Sequence, residues 1–136
     1  MPIHCIIIAH DEIGSALLHT TTKIFPQLPI DVSVVSITHE CHLEETREAT
    51  QKILSALPAE KEVLILTDLF GATPNNLARR LNHTQPFKIL SGLNLPMLVK
   101  IMNYAHLPLE QLVDKAILGG KEGVFNCSTT EALVTV

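Results

Sequence analysis

Two residues carry the first chemical reading of this sequence. His10 follows a short apolar run, Ile3 to Ala9 (IHCIIIA), and Asp68 follows another, Val63 to Thr67 (VLILT). A carboxylate that accepts a hydrogen bond from one imidazole nitrogen fixes the tautomer and orientation of the ring, and leaves the lone pair of the other nitrogen free. A histidine held in this way serves as a nucleophile or proton carrier. Taken singly, each residue has a plainer role, His10 as a polar strand end and Asp68 as a turn former. Their joint arrival at one crevice is what favours chemistry, and that depends on the elements that carry them.

The segment after Asp68 adds a third component, Leu69-Phe70-Gly71-Ala72-Thr73-Pro74-Asn75-Asn76. Gly71 permits tight backbone geometry. Thr73-Pro74 reads as a helix start, a hydroxyl cap followed by proline at the first helical position. A helix beginning there turns free N–H groups and the positive end of its dipole toward the crevice, which makes an anion cradle. Simple capping is the plainer use of the same residues, and the two are compatible. A histidine nucleophile, an orienting carboxylate and an anion cradle together point to phosphoryl transfer through a phosphohistidine. The G-x-x-x-x-G-K phosphate loop is missing from the sequence, so direct use of a nucleotide is not supported.

The elements that must position these residues follow from periodicity. The runs Ile3–Ala9, Val32–Ile37 (VSVVSI), Val63–Thr67 and Phe87–Leu90 (FKIL) are short, apolar and rich in β-branched residues. That is the pattern of strands buried on both faces. Helical spacing appears between them. It joins Ile13, Ala16, Leu17, Ile24 and Phe25, then Leu43, Ile53, Leu54 and Leu57, then Leu77 and Leu81. Two further helices are predicted over Leu95–Tyr104 and Leu109–Leu118, the second stopping at Gly119-Gly120. A weak last strand is expected near Val124. The alternation predicts an α/β fold, a doubly wound sheet with four parallel strands. In a small open sheet of flavodoxin type, ligands bind beyond the carboxyl ends of the first and third strands, where strand order reverses. His10 and Asp68 end those two strands, and Ser91-Gly92-Leu93-Asn94-Leu95-Pro96 closes the fourth strand at the same edge as a further wall.

Composition limits what else the chain can be. Its 136 residues make one domain, spanning 1–136, and 46% of them are hydrophobic. Ten Lys plus Arg against 14 Asp plus Glu, a net charge of −4, exclude a basic nucleic-acid binder. No apolar run approaches the ~20 residues that span a bilayer, so no membrane insertion is expected. The three cysteines, Cys5, Cys41 and Cys127, are odd in number and widely spaced, which is not a disulfide framework. The opening has no basic region of a signal peptide, and a reducing cytoplasm is the expected compartment.

Four stretches resemble a known family: IIIAH at 6–10, TDLFGATPNN at 67–76, SGLNLPML at 91–98 and GGKEGV at 119–124. With the element order, they make the chain similar to the mannose-type (mannose/fructose/sorbose) IIA domain of the bacterial phosphoenolpyruvate-dependent sugar phosphotransferase system. The resemblance implies that His10 accepts a phosphoryl group from the phosphocarrier HPr and passes it to a IIB partner, with Asp68 hydrogen-bonded to the ring. It implies that Gly71, Ala72 and Thr73 hold the phosphoryl group, and that Phe70, Leu95, Pro96 and Met97 form the rim where partners dock. It further implies a homodimer whose last, antiparallel strand, near Val124, is exchanged between subunits. No cofactor and no metal are implied. Because the sequence ends at Val136, the acceptor is expected on a separate protein. A regulatory module without sugar transport and the phosphotransfer subunit of dihydroxyacetone kinase share this fold and are the alternatives. The Leu-Phe-Gly-Ala-Thr-Pro and Asn-Leu-Pro-Met wording fits the sugar branch. Asp11, directly after His10, stands where the family often carries a small residue, and a carboxylate there repels a phosphoryl group unless it points away.

The remaining candidates read as structural. His39-Glu40-Cys41-His42 groups metal-capable residues, but neighbours in sequence chelate one ion poorly and no second cluster accompanies them. His4 is read as a packed polar residue, and His19, His83 and His106 as solvent-facing. Cys5 and Cys127 are read as small core residues. Arg79-Arg80 could help dock an acidic partner surface, but the plainer reading is a solvated helix face. A hydrolase built on His10 and Asp68 lacks a convincing serine or cysteine nucleophile.

Overall fold

The structure, a computed structural model, describes residues 3–38, 43–71 and 73–128. Its elements in chain order are β1 (Ile3–His10), α1 (Ile13–Ile24), β2 (Asp31–Ile37), α2 (Leu43–Ser55), β3 (Glu62–Thr67), α3 (Thr73–Arg79), β4 (Phe87–Leu90), α4 (Leu95–Asn103) and α5 (Leu109–Glu122). The four strands form one parallel sheet in the order β2-β1-β3-β4. Strand order therefore reverses between β1 and β3, as the alternating pattern predicts.

Alternation along β1 divides the core in two. Ile3, Cys5, Ile7 and Ala9 face a layer built by α1, α4 and α5, with Leu98, Ile101, Leu112 and Ala116 fully buried there. Ile6 and Ile8 face the other layer, with Leu54 of α2 and Leu77 and Ala78 of α3. A parallel sheet needs both faces covered, which is why β1 and β3 read as unbroken apolar runs. Each fully buried isoleucine or leucine contributes about 1.5–3 kcal/mol, so the central strands are the best-anchored part of the molecule. The Cys5 thiol is wholly buried, and burial pushes its pKa up to about 12, which leaves it protonated and inert. Leu17 and Phe25 of the first helical stripe pack on this core, whereas Ile13 and Ile24 at its ends stay about half exposed.

Three expectations need correction. α5 does not stop at Gly119-Gly120 but runs on to Glu122, with Gly123 after it. The glycines serve packing instead. A Cβ on Gly119 would lie 2.7 Å from Lys100 Cβ of α4, so the missing side chain is what lets the two helices approach. The strand expected near Val124 is not formed over 123–128, where Val124 is 82% exposed, and 129–136 lie outside the described residues. Cys127 is exposed rather than a core residue, because the chain has left the packed layers before reaching it. Among the described residues no helix is long and apolar enough to cross a membrane.

Candidate functional site

Sheet register brings the two chemical residues level. His10 ends β1 opposite Ile37 of β2, and Ile8 lies opposite Thr67, the last residue of β3. The residue after Thr67 thus arrives beside the end of β1. There Asp68 holds His10 twice. Its Oδ2 accepts from the His10 backbone N–H at 3.0 Å and lies 2.9 Å from ring Nδ1, with Oδ1 3.2 Å from the same nitrogen. The β1–β3 ladder ends at the Ile8–Thr67 pair. The His10 N–H beyond it needs a new acceptor, and the carboxylate supplies one.

The chemistry follows from what a carboxylate can do. An ionised carboxylate only accepts hydrogen bonds, so Nδ1 carries the proton and Nε2 carries the lone pair. The Asp68 side chain is 10% exposed and that of His10 36% exposed. A sheltered anchor therefore holds a ring that opens to solvent. An imidazole held in this way through Nδ1 can use Nε2 as a base or nucleophile.

The loop beyond Asp68 is shaped by Gly71, whose φ of +78° lies in the left-handed region that glycine adopts without strain. It holds Leu69 and Phe70 outward, 60% and 72% exposed, and the Arg79 guanidinium lies 5.6 Å from the Phe70 ring centroid. That contact gives the exposed aromatic a cationic neighbour, a use of Arg79 that the reading as a plain solvated face missed. α3 begins at Thr73, as the Thr-Pro signal predicts. Ala72 and the side chain of Thr73 lie outside the described residues. On the other side, the Leu93 N–H donates to the Thr67 carbonyl at 3.0 Å and ties the loop after β4 to the end of β3. Asn94 caps α4, accepting from the Met97 N–H at 2.9 Å, with Pro96 in the first turn.

Not every expected rim residue is presented. Phe70 is. Leu95 and Pro96 line a cavity of about 420 Å³ against Gly119, Glu122 and Gly123, on the side of α4 that faces α5. Met97 is the correction. It is 4% exposed and belongs to the α1/α4/α5 core, because its position in the first turn of α4 faces the sheet. His4 is packed as expected, and its Nε2 lies 2.8 Å from Ser33 Oγ. His83 is exposed but stacks on Phe87, with ring centroids 4.0 Å apart. The His39–His42 stretch lies outside the described residues, and among the described ones no three His, Cys, Asp or Glu side chains group to hold a metal ion.

Sequence reasoning missed the second grip of Asp68, on the His10 backbone, because a backbone contact leaves no residue-type signature. It also missed the amide of Gln85. That side chain is 5% exposed and donates to the Leu54 and Leu57 carbonyls at 3.0 and 3.2 Å, locking the end of α2 to the loop before β4. An isolated glutamine before Pro86 gives no signal for this.

Comparison with known proteins agrees with the geometry. The family described as "PTS system fructose IIA component" matches residues 4–117. The fructose-specific EIIA component of Bacillus subtilis is 29% identical over 128 residues, covering 93% of this chain and 87% of that protein. The sorbose-specific EIIA component of Lacticaseibacillus casei is 28% identical over 134 residues, covering 96% and 93%. The crystal structure of a phosphotransferase system EIIA component from Streptococcus agalactiae superposes with a TM-score of 0.82 at 30% identity, covering 93% of this chain and 98% of that one.

Proposed function

The chain belongs to the fructose/mannose/sorbose IIA component family of the sugar phosphotransferase system, and within that family we propose that His10 is the residue that carries the phosphoryl group. The family role is that of a transferase component in sugar phosphotransfer. In this reading HPr is the donor and a separate IIB protein the acceptor. The observation that carries it is the double hold of Asp68 on His10, which engages Nδ1 and leaves Nε2 for chemistry on a ring that is partly exposed.

The step runs in line. The Nε2 lone pair attacks phosphorus and forms the new N–P bond, while the donor N–P bond breaks and its electron pair returns to the donor ring nitrogen. The proton on Nδ1 stays in place, donated to Asp68, and the carboxylate stabilises positive charge that develops on the ring. Backbone N–H groups at Gly71, Ala72 and Thr73, three to five residues after Asp68, would hold the phosphoryl oxygens through the loose transition state. Exposed Leu69 and Phe70 beside Arg79 give a docking protein an apolar contact with a cation at its edge. The onward step to the IIB protein is the same exchange in reverse.

Incubation with phosphorylated HPr, followed by peptide mapping in a mass spectrometer, tests this. The expected result is one phosphoryl group per chain, on His10. Label on another residue, or none at all, overturns it.

A further inference from the structure

Directly beside the reactive imidazole stands Asp11, and its backbone is out of the ordinary. Its φ is +47°, and it is the one non-glycine residue with a positive φ among the described residues. Glycine adopts this region freely, while aspartate and asparagine tolerate it better than other side chains. The turn holds it there from both sides. The Asp11 N–H donates to the Ile37 carbonyl at 2.9 Å, and the next residue, Glu12, accepts from the Ala16 N–H at 2.9 Å as α1 begins. Asp11 is exposed, and among the described residues its carboxylate has no hydrogen-bond or ion-pair partner.

We propose that Asp11 sets the transfer potential of the phosphoryl group on His10, as a fixed negative charge that raises the free energy of the phosphorylated chain. The proposal rests on the carrier reading above. Phosphorylation places up to two negative charges on Nε2. Adjacent Cα atoms are about 3.8 Å apart, so a residue directly after His10 can bring its carboxylate within roughly 5–10 Å of that phosphorus, the range the proposal assigns to it. Two carboxylates then act on the phosphoryl group with different consequences. Asp68 is compensated by the Nδ1–H it accepts, and so it supports the ring. Asp11 has no such compensation and acts only as a repelling charge. Repulsion at that range in partly solvated surroundings amounts to a factor of roughly three to ten in the phosphorylation equilibrium. A less stable phosphohistidine is the better donor, so the group is passed on rather than stored.

The equilibrium with HPr measures this without depending on how tightly the two proteins bind. The chain is mixed with phosphorylated HPr, and the four species are quantified at equilibrium for wild type, Asp11→Asn and Asp11→Gly. Asparagine tolerates the positive φ and removes the charge, whereas glycine removes the charge and the strain together. Both variants are expected to shift the equilibrium toward the phosphorylated chain by roughly three- to tenfold, and only Asp11→Gly is expected to raise the melting temperature. The shift is expected to shrink with added salt, as screening requires. An Asp11→Asn equilibrium within twofold of wild type overturns the proposal, as does a shift confined to Asp11→Gly, which would assign the effect to backbone strain. A wild-type chain that takes no phosphoryl group from HPr would instead overturn the carrier reading, and this proposal with it.

Discussion

Strand β1 carries a histidine near each end, and the two have opposite fates. His4 and His10 differ by an even number of positions, so both side chains project from the same face of the strand, the one that meets α2 and α3. His4 is 9% exposed, and its partner is the neutral hydroxyl of Ser33. Burial holds its pKa below the usual value, opposed by the nearby Asp31 carboxylate and assisted by Lys61. His10 lies past the covered part of the sheet, and its partner is a carboxylate. The same side chain on the same strand is thus a packing unit at one end and, in the proposed carrier, the nucleophile at the other. The partner and the solvent access decide which, not the residue.

Three measurements break or sharpen that contrast. The largest effect belongs to His10→Ala, which is expected to lose all phosphoryl labelling and stay folded, whereas His4→Ala is expected to keep labelling and lose about 1–3 kcal/mol of stability. A folded His4→Ala that no longer accepts phosphate would erase the distinction. Next comes Asp68→Asn. The amide keeps the size of the carboxylate but not its charge, and no longer guarantees which ring nitrogen carries the proton. Transfer is expected to slow about 10- to 100-fold with the fold intact, and a wild-type rate in stopped-flow labelling would remove Asp68 from the step. The smallest effect is in pH. The folded pKa of His4 is lowered from an ordinary value of 6.5, so the unfolded chain binds the proton more readily. The contribution of His4 to stability is therefore complete above about pH 6.5 and is lost as pH falls through the folded value. Urea unfolding at a series of pH values should show this decline in wild type and a shallower one in His4→Ala. Equal slopes would mean that His4 is not the group responsible.

Much of the scaffold was legible from residue types. The β-branched runs at Ile3, Val32, Val63 and Phe87 are strands because a sheet covered on both faces asks for little else. Thr73-Pro74 starts a helix because a hydroxyl residue followed by proline suits the first helical turn. The failures share a cause. Gly119-Gly120 carries a stop signal locally, but α4 needs the room, and packing overrides propensity. The resemblance placed Met97 on the rim together with Leu95 and Pro96, yet on a helix adjacent residues face different ways, and Met97 faces the core. Cys127 was read as core from its residue type alone, where only the path of the chain decides burial.

The sequence by itself determined the layers, the order of strands and helices, and the pair of residues worth testing, because local periodicity and turn chemistry act over short stretches. Tertiary structure alone decided that Asp68 grips both the ring and the backbone of His10, that Asp11 is turned into the left-handed region beside it, and that His4 is sealed while His10 is open. Each of those depends on residues far apart in the chain arriving at one register. Distance and solvent exposure, the quantities that tune an imidazole, exist only once the sheet has formed.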